Sequence, residues 1–200
     1  GEPLRWASAR MVFVNSMSDL FHEKVPDEYI VKVARVMDTA RWHTYQVLTK
    51  RSERMQSLLE TKLSFVAQNS NIWWGVSVED RKYGLPRVDH LRAAPVRNRF
   101  LSIEPLLEDL GRFSLRQIHW TIVGGESGAG ARPMVKAWVR SIRDQCGKAN
   151  VPFFFKQWGG VQKSKAGRKL DGRLWDELPP PSTVAVPSLA IRNTTLAVMA

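Results

Sequence analysis

Six short apolar runs, each stopping abruptly in polar or ionisable residues, constrain what this chain can fold into: MVFVNSMSD, YQVLTKR, IWWGVSVED, RFLSIEPL, HWTIVGGES and PFFFKQWG. Apolar residues on consecutive positions suit strands covered on both faces, as in a parallel sheet flanked by helices. The expected strands are Met11–Asn15, Tyr45–Thr49, Ile72–Val78, Phe100–Ile103, Trp120–Val123 and Phe153–Phe155. Their starts lie roughly twenty to thirty-five residues apart, the length of a β/α unit, and right-handed crossovers curl such units into an arc. The fold class expected is therefore α/β, an incomplete (β/α) TIM-type barrel of about six parallel strands. A complete barrel needs roughly 250 residues, and this chain has 200. A doubly wound open sheet is the alternative, but NSMSD after the first strand has nothing of the GxGxxG turn.

Helical patterns fill the gaps. Pro26 suits a first helical position, Asp27 and Glu28 oppose the helix dipole, and Tyr29, Ile30, Val33, Val36 and Met37 form one stripe. Met55, Leu58, Leu59 and Leu63 form a second. Between Lys82 and Ala94 the pattern is interrupted by Gly84 and Pro86, which predicts a helix beginning after Pro86 and ending before Pro95. Val135–Lys148 presents Val135, Trp138, Val139, Ile142 and Cys146 on one side, which makes Cys146 a core residue. Residues 1–178 read as one partial-barrel domain. Pro179-Pro180-Pro181 ends it, and 179–200 reads as a Pro-rich, poorly ordered tail.

Thirty Lys and Arg against 19 Asp and Glu leave a net charge of +11, which favours a polyanionic partner such as nucleic acid. The excess concentrates at Arg81, Lys82, Arg87, Arg92, Arg97 and Arg99, and again at Lys163, Lys165, Arg168 and Lys169, runs that also read as solvated surface. No apolar stretch is long enough to span a bilayer, and no basic segment followed by an apolar one succeeds Gly1, so a cytoplasmic location without membrane contact is expected. The single cysteine excludes an intramolecular disulfide framework and an all-cysteine metal cluster held by this chain alone. GxSxG, HExxH and GxxxxGK[ST] motifs are absent, against the hydrolase and nucleotide-hydrolysing families that carry them.

In parallel α/β folds the chemistry sits at the C-terminal ends of the strands. Asn15, Ser16, Ser18 and Asp19 end the first run, with His22 three residues on; they suit a ligand's amine or ribose, or serve as turn caps. Lys50 and Arg51 close the second and suit a carboxylate or phosphate. Glu79 and Glu104 follow the third and fourth, placed to accept from a hydroxyl or amine, or to pair with Lys50 or Arg51. Gly124, Gly125, Glu126 and Ser127, with Arg132 beyond, read as a binding loop in which glycines admit a ligand to the backbone. Lys156, Gln157 and Trp158 end the last run, the tryptophan suited to stacking on a base.

Seven collinear blocks, VFVNSMSDLFHEKVPDEYI, YQVLTKRSERM, WWGVSVED, RFLSIEPLLEDL, WTIVGGESGAGARPM, VPFFFKQWG and KLDGRLWDELP, together resemble the phage-associated three-Cys-motif proteins, a family of uncharacterised function with a radical-SAM-like barrel. The resemblance runs from about Glu2 to Leu178. It implies, for the intact family, a [4Fe–4S] cluster and S-adenosylmethionine, the cluster held by a cysteine-rich segment before the region of Val12. That segment is missing from this sequence, so no cofactor is expected to bind this chain alone. Under the resemblance, Asn15, Ser16, Asp19, Glu79, Glu104, Gly124, Gly125 and Glu126 are the expected cofactor contacts. His22, Lys50, Arg51, Ser127, Arg132, Lys156, Gln157 and Trp158 are the expected substrate contacts; no catalytic residue and no metal ligand is assigned. Two readings stand: a fragment of a radical-SAM-like iron–sulfur enzyme, substrate unassigned with nucleic acid as a candidate, or a non-catalytic basic nucleic-acid-binding module or degenerate remnant. A partner protein encoded nearby fits either, and the start at GEPLRW without an initiator Met favours the fragment.

Overall fold

A computed structural model describes residues 1–15 and 17–199. The elements run α1 (Glu2–Arg5), β1 (Met11–Val14), α2 (Asp27–Thr39), β2 (Thr44–Thr49), α3 (Ser52–Glu60), α4 (Ser64–Ala67) and β3 (Ile72–Ser77). They continue with α5 (Gly84–Ala93), β4 (Asn98–Ile103), β5 (Trp120–Gly124), α6 (Lys136–Ala149), β6 (Phe153–Gln157), α7 (Lys163–Ala166) and α8 (Leu189–Met199). The strands form one sheet in the order β1-β2-β3-β4-β5-β6, and they run parallel. Sequential order in a parallel sheet, with β1 and β6 unpaired to one another, is the topology of an incomplete β/α barrel, as the run spacing predicts. Strand limits shift by at most two residues from those expected, within the ordinary fraying of element ends.

The chain divides into two compact units, the first comprising Gly1–Trp74, Ala94–Asn98 and Pro180–Ala200, the second Gly75–Ala93 and Arg99–Pro179. In the first, Met11 pairs with Thr44 and Val14 with Val47. α2 turns Ile30, Ala34 and Met37 inward, a narrower stripe than the sequence predicts, since Tyr29 at its start is exposed. α3 buries Met55, Leu58 and Leu59. Residues 180–199 carry α8 and make polar contacts with the rest of the unit. The Ser182 amide donates to Thr44 Oγ1 at 3.0 Å, its hydroxyl donates to the Arg41 carbonyl, and the buried Arg192 donates to the carbonyls of Pro187 and Arg5.

In the second unit, Phe100 pairs with Trp120 and Thr121 with Phe153, and the β5/β6 register shifts at Val123 and Gly124. α6 covers this part of the sheet with Val139, Ile142 and Cys146, so the cysteine is core, as its position in the stripe predicts. α5 corrects the sequence expectation: it begins at Gly84 and takes Pro86 into its first turn, where a missing N–H costs nothing. Asp80 prepares that start, its carboxylate accepting from the amides of Tyr83 and Gly84. Much of the basic run here braces the fold. Arg87 donates to the Ser77 carbonyl and Glu79, Arg92 to Asp89 and the carbonyls of Ser114 and Arg116, and the buried Arg99 to the Leu91 carbonyl.

Candidate functional site

Each unit carries a polar group at its strand ends. In the first, Asn15 adopts a left-handed conformation, φ 58°, and its carbonyl accepts from the Ser18 amide, turning the chain back after β1. Ser16 lies outside the described residues. The Asp19 carboxylate is the hub: Oδ1 accepts from the Phe21 amide at 2.9 Å and from Thr49 Oγ1 at 2.7 Å. Oδ2 accepts from the Lys50 amide at 3.1 Å and from Arg51 Nη1 at 3.2 Å. Four bonds occupy the acceptor sites of one carboxylate, so Asp19 locks the β1 loop onto the end of β2. Arg51 also reaches Glu23 at 3.1 Å, and Glu23 lies 3.6 Å from His22, whose Nδ1 accepts from the Lys24 amide. The Lys50 side chain is exposed.

Sequence reasoning passes over Arg54. From α3 it donates to the carbonyls of Phe21, His22 and Val25 and to Asp27 Oδ1 at 2.6 Å, pinning residues 21–27. Its signal is faint: an Arg one turn into a helix that follows a strand reads as surface charge until the facing loop is known.

The second group is richer. Phe100 and Ser102 share one face of β4 by strand alternation, and Glu104 directly follows the strand's last residue. The Glu104 carboxylate receives Lys156 Nζ at 2.8 Å and lies against Gly124, where an added Cβ would sit 3.0 Å from Oε1. Gln157 Nε2 donates to Ser127 Oγ at 2.8 Å and lies 3.4 Å from Glu104 Oε1. Carboxylate, ammonium, amide and hydroxyl thus converge from the ends of β4 and β6 and the loop after β5. Glu104 is one-fifth exposed and Lys156 half exposed, so an incoming ligand can reach both.

The glycine-rich exit of β5 approaches the chain itself. A Cβ on Gly125 would lie 2.0 Å from the Trp158 carbonyl oxygen, and one on Gly159, φ 78°, 2.1 Å from the Glu126 carbonyl oxygen. The Gly160 amide donates to the Glu126 carbonyl and the Gly128 amide to the Gly160 carbonyl, stitching the loops after β5 and β6 together. Glu126 grips Arg132 of the same loop through one guanidinium edge, Nε at 2.8 Å and Nη2 at 2.9 Å, and accepts from its amide; these bonds hold its carboxyl down at about 2. Trp158 is half-buried, edge-on to Phe155, and its indole N–H donates to the Lys169 carbonyl at 2.9 Å. Glu79 stands apart: its carboxylate is buried and pairs with Arg87 at 2.7 Å.

A [4Fe–4S] cluster needs three thiolates, and the donor set does not fit one. Cys146 is buried in α6, its thiol pushed up to about 11 by burial, so it stays protonated. Among the described residues no group of three His, Cys, Asp or Glu side chains is placed to hold a metal ion. No helix among them is long and apolar enough to cross a membrane. No curated protein matches the chain. Residues 1–179 match the family described as "Protein of unknown function (DUF5131)", and to that family the chain belongs.

Proposed function

We propose that this chain is the β/α scaffold of a phage- or mobile-element-associated, radical-SAM-like iron–sulfur protein, in which the Glu104, Lys156, Gln157 and Ser127 group binds the ligand. The observation that carries the reading is the convergence of those four side chains at the C-terminal ends of parallel strands. The sequential strand order supports it, and so do the seven sequence blocks. S-adenosylmethionine is the cofactor proposed, with a [4Fe–4S] cluster whose thiolates come from outside residues 1–200. Glu104 suits an ammonium group and Lys156 a carboxylate, so an amino-acid moiety matches the pair. The substrate class we favour is nucleic acid, and the compartment the cytoplasm.

Saturation-transfer NMR with S-adenosylmethionine on the full chain tests the reading. Transfer to the methionine and adenine signals is expected, and Glu104→Gln is expected to reduce it several-fold. No transfer to the wild-type chain, or equal transfer with the variant, ends the proposal.

A second reading, a basic nucleic-acid-binding module without catalysis, is favoured by the net charge of +11. It needs no cofactor and requires only that exposed cations such as Lys82, Arg97 and Lys165 meet phosphates.

A further inference from the structure

His43 immediately precedes β2 and has no exposed surface. Its ring bridges two backbone groups of the N-terminal segment: Nδ1 accepts from the Arg10 amide at 3.0 Å, and Nε2 donates to the Pro3 carbonyl oxygen at 2.8 Å. An amide can only donate and a carbonyl can only accept, so these partners admit one form of the ring, neutral with the proton on Nε2. The Thr44 amide donates to the Arg10 carbonyl at 2.9 Å and continues the same tie into the β1/β2 pair. Burial opposes a positive charge on the ring more strongly than the Pro3 carbonyl favours one. Trp6, Trp42 and Tyr45 pack on it with ring centroids 5.3 to 6.1 Å away, and burial raises the Tyr45 phenol so that it stays neutral. The Asn71 amide is spent on the His43 carbonyl, and the charged neighbour is Arg10, a cation.

We propose that His43 is an acid-sensitive latch: a proton added at Nδ1 sets N–H against N–H, breaks the bond to Arg10 and releases residues 1–10 from the first strand pair. α8 goes with them, because Arg192 Nη1 donates to the Arg5 carbonyl at 2.8 Å and Leu196 packs at Gly1. The inference stands apart from the ligand-binding reading, which concerns Glu104, Ser127, Lys156 and Gln157 of the other unit.

Burial holds the His43 ring below its ordinary value of 6.5. A depressed value means that the latch is fully engaged above pH 6.5 and its contribution is lost as pH falls from there through the folded value.

Amide hydrogen exchange on the full chain, followed from about pH 7.5 to about pH 5 and corrected for intrinsic rates, tests the proposal. Protection of the Arg10 amide is expected to fall by up to about tenfold per pH unit below the ordinary histidine value. His43→Gln, which offers a carbonyl and an amide but takes up no proton, is expected to abolish the pH dependence. Arg10 protection that ignores pH, or falls equally in the glutamine variant, overturns the latch. If that variant does not fold, ¹⁵N imidazole shifts of the wild-type ring decide: a neutral Nε2–H form titrating below 6.5 supports it, and titration at 6.5 overturns it.

Discussion

At the scale of single residues, the strand-end side chains divide into those turned to the chain and those turned outward. Asp19, Glu79, Glu126 and Trp158 are committed to Lys50 and Arg51, Arg87, Arg132, and Phe155 with Lys169 respectively. Glu104 and Lys156 are joined to each other while part-exposed, which leaves them open to exchange partners. Gly125 makes the first kind of commitment measurable. Its Cβ would collide with a backbone oxygen rather than a yielding side chain, so Gly125→Ala is expected to cost about 3 kcal/mol and to lower the thermal midpoint by several degrees. Gly147→Ala, inside α6 with open space around its Cβ, is expected to stabilise by about 0.5 kcal/mol. Equal midpoints for the two variants in a thermal melt would refute the close-approach argument. That a glycine belongs at 125 was legible in the sequence. Its reason was not, because the atom it avoids lies at Trp158, on another loop, and no local pattern connects the two.

The elements themselves were the most readable level. Strands buried on both faces write themselves as unbroken apolar runs, and β3 and β5, buried at every position, gave the plainest signal. α5 was misplaced because proline was weighed as a helix breaker at a position where the first turn tolerates it. α6 was placed correctly, and it yields a prediction. Cys146, buried against the sheet with its thiol raised to about 11, is expected to resist iodoacetamide at mildly alkaline pH in the native chain and to react fully in denaturant. Mass spectrometry reads the adduct, and rapid native labelling would mean that α6 does not shield that face. The strand-end groups were half legible: their residue types and positions could be read, but which acid meets which base depends on loops whose paths are set by backbone hydrogen bonds.

For the whole molecule, charge is the property that sequence reports without loss, although its distribution is not. Arg87, Arg92 and Arg99 look like part of one basic patch, yet they hold α5, its acids and nearby carbonyls together. The patch available to phosphate is therefore smaller than the run suggests. Retention on double-stranded DNA is expected to weaken steeply with salt, with a slope reflecting the few exposed cations, and Lys82→Gln with Arg97→Gln is expected to reduce that slope by up to about two. A salt-independent interaction would rule out phosphate contact as its source. The segment following the last strand has a different bearing on behaviour in solution. Residues 175–177 lie antiparallel along β6: the Phe155 amide donates to the Trp175 carbonyl, Phe154 bridges Asp176, and Glu177 accepts from the Phe153 amide and, through its carbonyl, from the Trp120 indole. These few residues work as a selvedge on woven cloth, finishing a margin that would otherwise keep recruiting thread; shorn of them, the FFF run becomes a seed for tangles between molecules.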